Sequence, residues 1–315
     1  MTQTKAAAER GRRITQRGRE TRERLTAILF FLPFGLLFLL FVILPVLVAF
    51  GTSFTNYNTI QTPGFIGLTN YIHLFLDDDV FLTAMKNTLL FACITGPLGY
   101  LLSFLAAWVI DSLRFKRAFA LAFYIPSITS ATAISTIWLY FFSSDRYGLI
   151  NNLLLSFNII SKPILWTLDE NYILGVVMLI QLWMSMGTGF LVFMAGLQNV
   201  NREYYEAGAI DGIQSRWQEL WYITLPAMKP QLLFGAINAL VSAFAVFDVA
   251  VSVDGMPSPN YAAHTIVAHL YDYAFIRFQM GYACAVSMVL FAITFLLGQV
   301  LMKAFSEKKR KERRA

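Results

Sequence analysis

The sequence predicts an all-α integral membrane protein of six transmembrane helices, with both termini and one long polar loop in the cytoplasm. Three observations carry this. Hydrophobic residues make up 57% of the chain and charged residues 14%, against the roughly 25% charged of a soluble globular protein. Six apolar stretches reach the about 20 residues that a helix needs to cross roughly 30 Å of hydrocarbon, whereas barrel strands would alternate over about 10 residues. Finally, 21 of the 25 Lys and Arg fall in four clusters that share one side when six helices alternate. The positive-inside rule makes that side the cytoplasm, in a multi-pass arrangement.

The first stretch, Leu25 to Phe50, follows a basic tail over residues 1–24. Its apolar run exceeds the 7–15 residues of a signal-peptide core and no small-residue cleavage site follows, so it reads as an uncleaved span. The others run from Ala84 to Ile110, Ala118 to Phe142, Tyr172 to Leu197, Gln231 to Val253 and Tyr282 to Ala304. Together they form one domain, residues 25–305, ahead of a second basic tail, 306–315. Both tails read as flexible arms against anionic lipid headgroups, with a specific partner contact as the alternative. The net charge of +6 is thus a property of the membrane-facing side and gives no reason to expect nucleic acid. Three outer loops carry apolar runs (YIHLFL, LINNLLLSF, HTIVAHLYDYAFIRF) that suggest short helices lying on the membrane face. Cys93 and Cys284 fall inside spans and read as packed thiols. His73, His264 and His269 show no metal-ligand spacing.

The connection over residues 198–230 is far longer than a turn requires. Asn201 is placed as a helix N-cap, with Glu203 and Glu206 where the helix dipole favours negative charge. Gly212 after Asp211 supplies a helix stop. Ser215 with Gln218 has the form of a capping box, and Pro226 limits continuation into the fifth span. A helix, a glycine turn and a second short helix result.

Within this connection, EAGAIDG (Glu206 to Gly212) followed by ITLP (Ile223 to Pro226) resembles the Glu-Ala-Ala, Gly, Ile-x-Leu-Pro signature of membrane subunits of bacterial ATP-binding-cassette importers. NTLLF, FYIPSITS, YGLINNLL and MGYACAVSMVLF are similar to the sugar-importing branch, and LPFGLLFLLFVILPVLVAFGTSF and FIGLTNYIHLF look like the first permease subunit of maltose importers. The resemblance covers about Leu32 to Phe305. It implies the type I importer permease fold and a coupling helix formed by Glu206, Ala207, Gly208, Asp211, Gly212, Ile223, Leu225 and Pro226. It also implies a second homologous permease, a cytoplasmic ATPase dimer that uses ATP and Mg²⁺, and an extracellular sugar-binding protein. This chain has no phosphate-binding Gly-x-x-x-x-Gly-Lys-Ser/Thr motif and is expected to bind no cofactor and to be no enzyme. Two departures stand out. Gly208 occupies the place of an alanine, and the gap from Gly212 to Ile223 is one residue longer than the pattern.

For a substrate path, Gln181, Ser185 and Thr188 share one helical face, and Thr129, Thr132 and Thr136 form a similar set. Such stripes suit a neutral, hydroxyl-rich solute, an oligosaccharide before a glycerol phosphate, although interhelical bonding is an equal alternative. Asp248, a costly intramembrane carboxylate, with Phe244 one turn earlier, either lines the path or serves a structural or gating role. Trp183 is a further candidate, with packing as the alternative. An ATP-independent channel or secondary transporter remains a second reading. An intramembrane enzyme lacks any His-Glu-x-x-His or Gly-x-Ser-x-Gly motif.

Overall fold

A computed structural model describes the backbone of residues 25–312, and the side chains of all of these except 131, 132 and 306–312. The tail over residues 1–24 lies outside the described residues. Among the described residues five helices are long and apolar enough to cross a membrane: α1 (Leu25–Thr52), α3 (Asp79–Asp111), α7 (Ile173–Gln198), Lys229–Asp254 and Met280–Phe305. The last of these is part of a longer helix that continues to Glu312. Among the described residues there are no strands beyond an isolated bridge between Thr55 and Phe65.

The sixth segment departs from the expected straight helix over Ala118 to Phe142. It is a pair, α4 (Lys116–Ile128) and α5 (Ala131–Phe141), bent by 97°. Local chemistry accounts for the break. Pro126 cannot continue the backbone ladder, Thr129 is extended (φ −80°, ψ 142°), and the Ser130 hydroxyl caps α5 by accepting from the Ala133 amide at 3.2 Å. Thr129 and Thr136 therefore sit on opposite sides of the bend and share no helical face. The Thr132 side chain lies outside the described residues.

The fifth span is also interrupted. Its first part, α10 (Lys229–Phe244), stops at Ala245, and α11 (Asp248–Asp254) begins after a non-helical Phe247. A carbonyl freed in this break would be costly in hydrocarbon. The Val246 carbonyl accepts a hydrogen bond from the Thr265 hydroxyl at 3.1 Å.

The bundle closes around α3 and α7, with α4 and α10 packed against them. Small residues set the approach. A Cβ on Gly99 would fall 2.7 Å from Ser185 Oγ, and one on Gly235 would fall 2.6 Å from the Phe193 ring. Phe104, Phe190, Phe193, Met194 and Met228 fill one half of the core, and Phe91, Ile173, Val177, Ile180 and Val249 the other. By contrast, the apolar window of α1 is not buried at all. Lipid solvates such side chains as well as a core does.

The three loops at the end away from residues 198–230 form the expected short helices, α2 (Thr69–Leu76), α6 (Leu149–Ser156) and α12 (Ile266–Tyr271). The third does not lie on the membrane face. It is drawn into the bundle, with Ile266 and His269 buried, because α3 supplies the bonds. Asn87 Nδ2 donates to the Tyr261 and His264 carbonyls at 3.0 and 3.1 Å, and the Thr88 hydroxyl accepts from the Ile266 amide at 2.9 Å.

Candidate functional site

Two features stand out, a polar cavity between the spans and the loop at one end of them. The cavity, of about 380 Å³, lies among the middles of α3, α7 and α10 and the end of α4. Gln181, Ser185 and Thr188 all line it, so the structure brings together the stripe read from the sequence. Tyr100, Ser103, Asn238 and Ser242 join them. These four were missed, although Asn238 and Ser242 are spaced i, i+4 and Tyr100 and Ser103 i, i+3, the spacings that place side chains on one face.

The hydrogen bonding of this cavity is divided. Ser185 Oγ donates to the Leu182 carbonyl at 2.9 Å and Ser127 Oγ to the Tyr124 carbonyl at 2.8 Å, so both are engaged within their own helices. Gln181, Thr188, Asn238 and Ser242 make no side-chain hydrogen bond among the described residues. Their amides and hydroxyls are open to a solute. No charged residue lines the cavity, and the Phe193 ring, packed edge-on against Tyr100 at 5.2 Å, forms an apolar wall.

The other candidates lie elsewhere. Phe244 is buried with Ala92 and Ala243, and Asp248 is exposed in the first turn of α11. The break between them removes the shared face that their spacing suggested. Trp183 packs edge-on against Trp138 at 5.6 Å, outside the cavity lining. The four-residue spacing misled because nothing in Phe244-Ala-Val-Phe-Asp248 marks the break locally.

The loop follows its sequence signals closely. In α8 (Arg202–Ile210) the Asn201 side chain accepts from the Glu203 amide at 3.1 Å, and Gly212 stops the helix at φ +92°. That conformation is easy for glycine alone. Ser215 and Gln218 complete both bonds of a capping box at the start of α9 (Arg216–Glu219). The chain then widens into a π-helical turn over Leu220–Thr224 and one α-turn over Leu225–Ala227. Pro226 thus lies inside that last turn, and the interruption expected there falls at Met228, just before Lys229 and Pro230 start α10.

A 2.9 Å hydrogen bond between the Tyr205 and Thr224 hydroxyls latches α8 to the π-helical turn that follows α9. Beneath α8, Gly208 is buried, and a Cβ there would fall 2.6 Å from Ile223 Cδ1 and 3.2 Å from Ile213 Cδ1. The glycine that departs from the signature is therefore where two isoleucines crowd the helix. Glu206, Ala207, Asp211, Gly212 and Pro226 are exposed, and Leu225 is half-buried. Around them Tyr204, Ile210, Trp217, Trp221 and Tyr222 present uncovered apolar surface, Ile210 at 88% exposure.

Comparison with known proteins fits a membrane transport component. Residues 99–311 match the family of binding-protein-dependent transport system inner membrane components, and the chain belongs to that family. It is similar to the probable ABC transporter permease protein YesP of Bacillus subtilis (strain 168), 32% identical over 291 residues, or 90% of this chain and 92% of that one. The arabinooligosaccharides transport system permease protein AraP of the same organism is 31% identical over 280 residues, covering 87% of each chain. The fold is that seen in a bacterial ABC transporter involved in the import of the acidic polysaccharide alginate. The TM-score is 0.75 at 19% identity, over 92% of this chain and 98% of that one. The chain is thus a multi-pass permease component of a binding-protein-dependent transport system.

Proposed function

We propose that this permease forms half of the path of an ATP-driven importer for a neutral carbohydrate, an oligosaccharide in first place. The observation that carries the reading is the uncharged cavity with unengaged amide and hydroxyl groups at mid-span. A sugar needs many hydrogen bonds and no strong counter-charge, and a phosphate or carboxylate would find no cation there. The name of the AraP relative, an arabinooligosaccharide permease, supports the same class.

In this reading the loop end faces the cytoplasm, as do both termini, because the basic clusters lie on that side. The exposed aromatic face of α8 and α9 seats in an ATPase dimer, which supplies the ATP and Mg²⁺ chemistry. Glu206, Ala207, Gly208, Asp211, Gly212, Ile223, Leu225 and Pro226 set the shape of that contact. A second homologous permease closes the open side of the cavity, and an extracellular sugar-binding protein delivers the solute to the outer end.

The test is uptake into vesicles holding the assembled importer. Gln181→Ala with Asn238→Ala is expected to raise the KM for the oligosaccharide about tenfold, since each removes a hydrogen-bonding group worth about 0.5–1.5 kcal/mol, while ATP hydrolysis continues. Unchanged uptake kinetics in that double variant would remove the cavity from the path.

A further inference from the structure

A second polar cavity, of about 330 Å³, lies at the loop end, where α3 finishes at Asp111, α4 starts at Lys116 and α7 finishes at Gln198. It opens between these span ends and the two loop helices. Its walls carry Trp108, Asp111, Lys116, Arg202, Arg216 and Glu219. Asp111 and Lys116 pair at 3.0 Å and neutralise each other. Arg202 and Arg216 have no carboxylate within salt-bridge distance among the described residues. Glu219 offsets one of them, so the cavity keeps one positive charge in excess.

The aromatic side chains fix its level. The Arg216 guanidinium lies 5.2 Å from the centre of the Trp108 ring, and Trp108 lies 5.0 Å from Trp217. Tryptophan rings settle at the headgroup level of a bilayer, and the span ends converge there as well. Two guanidiniums on its walls, one of them over the Trp108 ring, offer at that depth the forked N–H donors that phosphate oxygens accept from, and basic pockets between spans on the cytoplasmic side take anionic headgroups.

We infer that this cavity binds a phosphate group, presented by the headgroup of an anionic lipid of the inner leaflet. The lipid would then tie the loop helices to the span ends at the point where loop movement must reach the bundle. The inference rests on the sidedness proposed above. Its readout is lipid binding, so it can fail while the importer reading stands.

The experiment is native mass spectrometry of the assembled importer, titrated with phosphatidylglycerol, phosphatidylcholine or inorganic phosphate. The wild type is expected to retain phosphatidylglycerol over phosphatidylcholine. Arg202→Gln with Arg216→Gln is expected to weaken that retention at least about tenfold, at about 1 kcal/mol per cation, and Arg202→Lys with Arg216→Lys to recover most of it. Equal phosphatidylglycerol retention in wild type and the Gln variant would overturn the inference. So would retention of inorganic phosphate with no lipid preference, which would make the source cytoplasmic. Absence of any adduct on the assembled importer would equally overturn it.

Discussion

The two ends of this bundle solve opposite problems. At the end away from the 198–230 loop, polar side chains are buried and largely satisfied by the chain itself. Asn151 is fully buried and donates to the carbonyls of Ser143, Asp145 and Ile164, while its oxygen accepts from the Ile164 amide and the Trp166 indole. Asp78, 7% exposed, accepts from the Phe81 amide at 2.8 Å and from the Tyr282 and Tyr273 hydroxyls at 2.6 and 3.1 Å, with His269 Nε2 at 3.2 Å. Burial alone would raise this carboxyl, but contacts with His269, Tyr282 and the Phe81 amide outweigh it and hold the group well below the usual carboxylate range. At the loop end, aromatic rings and arginines are left uncovered. One end is largely finished within the chain, and the other leaves apolar rings and cationic groups open.

Variants sharpen the contrast, beginning at the finished end. Asp78→Ala strands two tyrosines and a histidine in a dry site and is expected to cost about 3 kcal/mol or more, read as a large fall in the melting temperature of detergent-solubilised protein. Asn151→Ala leaves backbone groups of two loop segments unpaired and should cost about 2 kcal/mol. Gly212→Val forces a β-branched residue to φ +92°, at about 1–3 kcal/mol, all of it confined to the loop. It should abolish ATPase-coupled uptake while the spans still insert, and normal uptake would remove the loop from coupling. Trp221→Ala, at a side chain 64% exposed, should change stability by no more than about 0.5 kcal/mol yet weaken ATPase association.

The end away from the loop should also respond to acid. His264 is buried, its Nε2 has no hydrogen-bond partner, and burial first, then the charge of His269, pushes its pKa down to about 4. The folded state keeps it neutral where the unfolded chain, near 6.5, takes up a proton. Stability should therefore fall as pH drops from about 6.5 toward 4, and His264→Gln should flatten that slope in a thermal-shift series. An equal slope in both proteins would contradict the assignment.

Much of this was legible in the sequence, and the parts that were not share a cause. The capping box, the Asn201 cap and the Gly212 stop came through because each depends on residues a few positions apart. The cavity stripe of Gln181, Ser185 and Thr188 came through because α7 is unbroken. The Phe244 and Asp248 pairing failed because the interruption of the fifth span is held by Thr265, far along the chain. His269 looked idle because its partner, Asp78, lies almost two hundred residues away. Asn87 and Thr88, legible only as part of a family-like string, turn out to be the bonds that draw α12 into the bundle.

The central claim is that the loop end is completed by an ATPase, and co-purification tests it most directly. The chain would be drawn from mildly solubilised native membrane, and the proteins that travel with it identified, beside the Trp221→Ala variant. The account predicts a second multi-pass permease and an ATPase with the wild type, and less ATPase with the variant. Recovery of the chain alone, or as a homo-oligomer without ATPase, would contradict it.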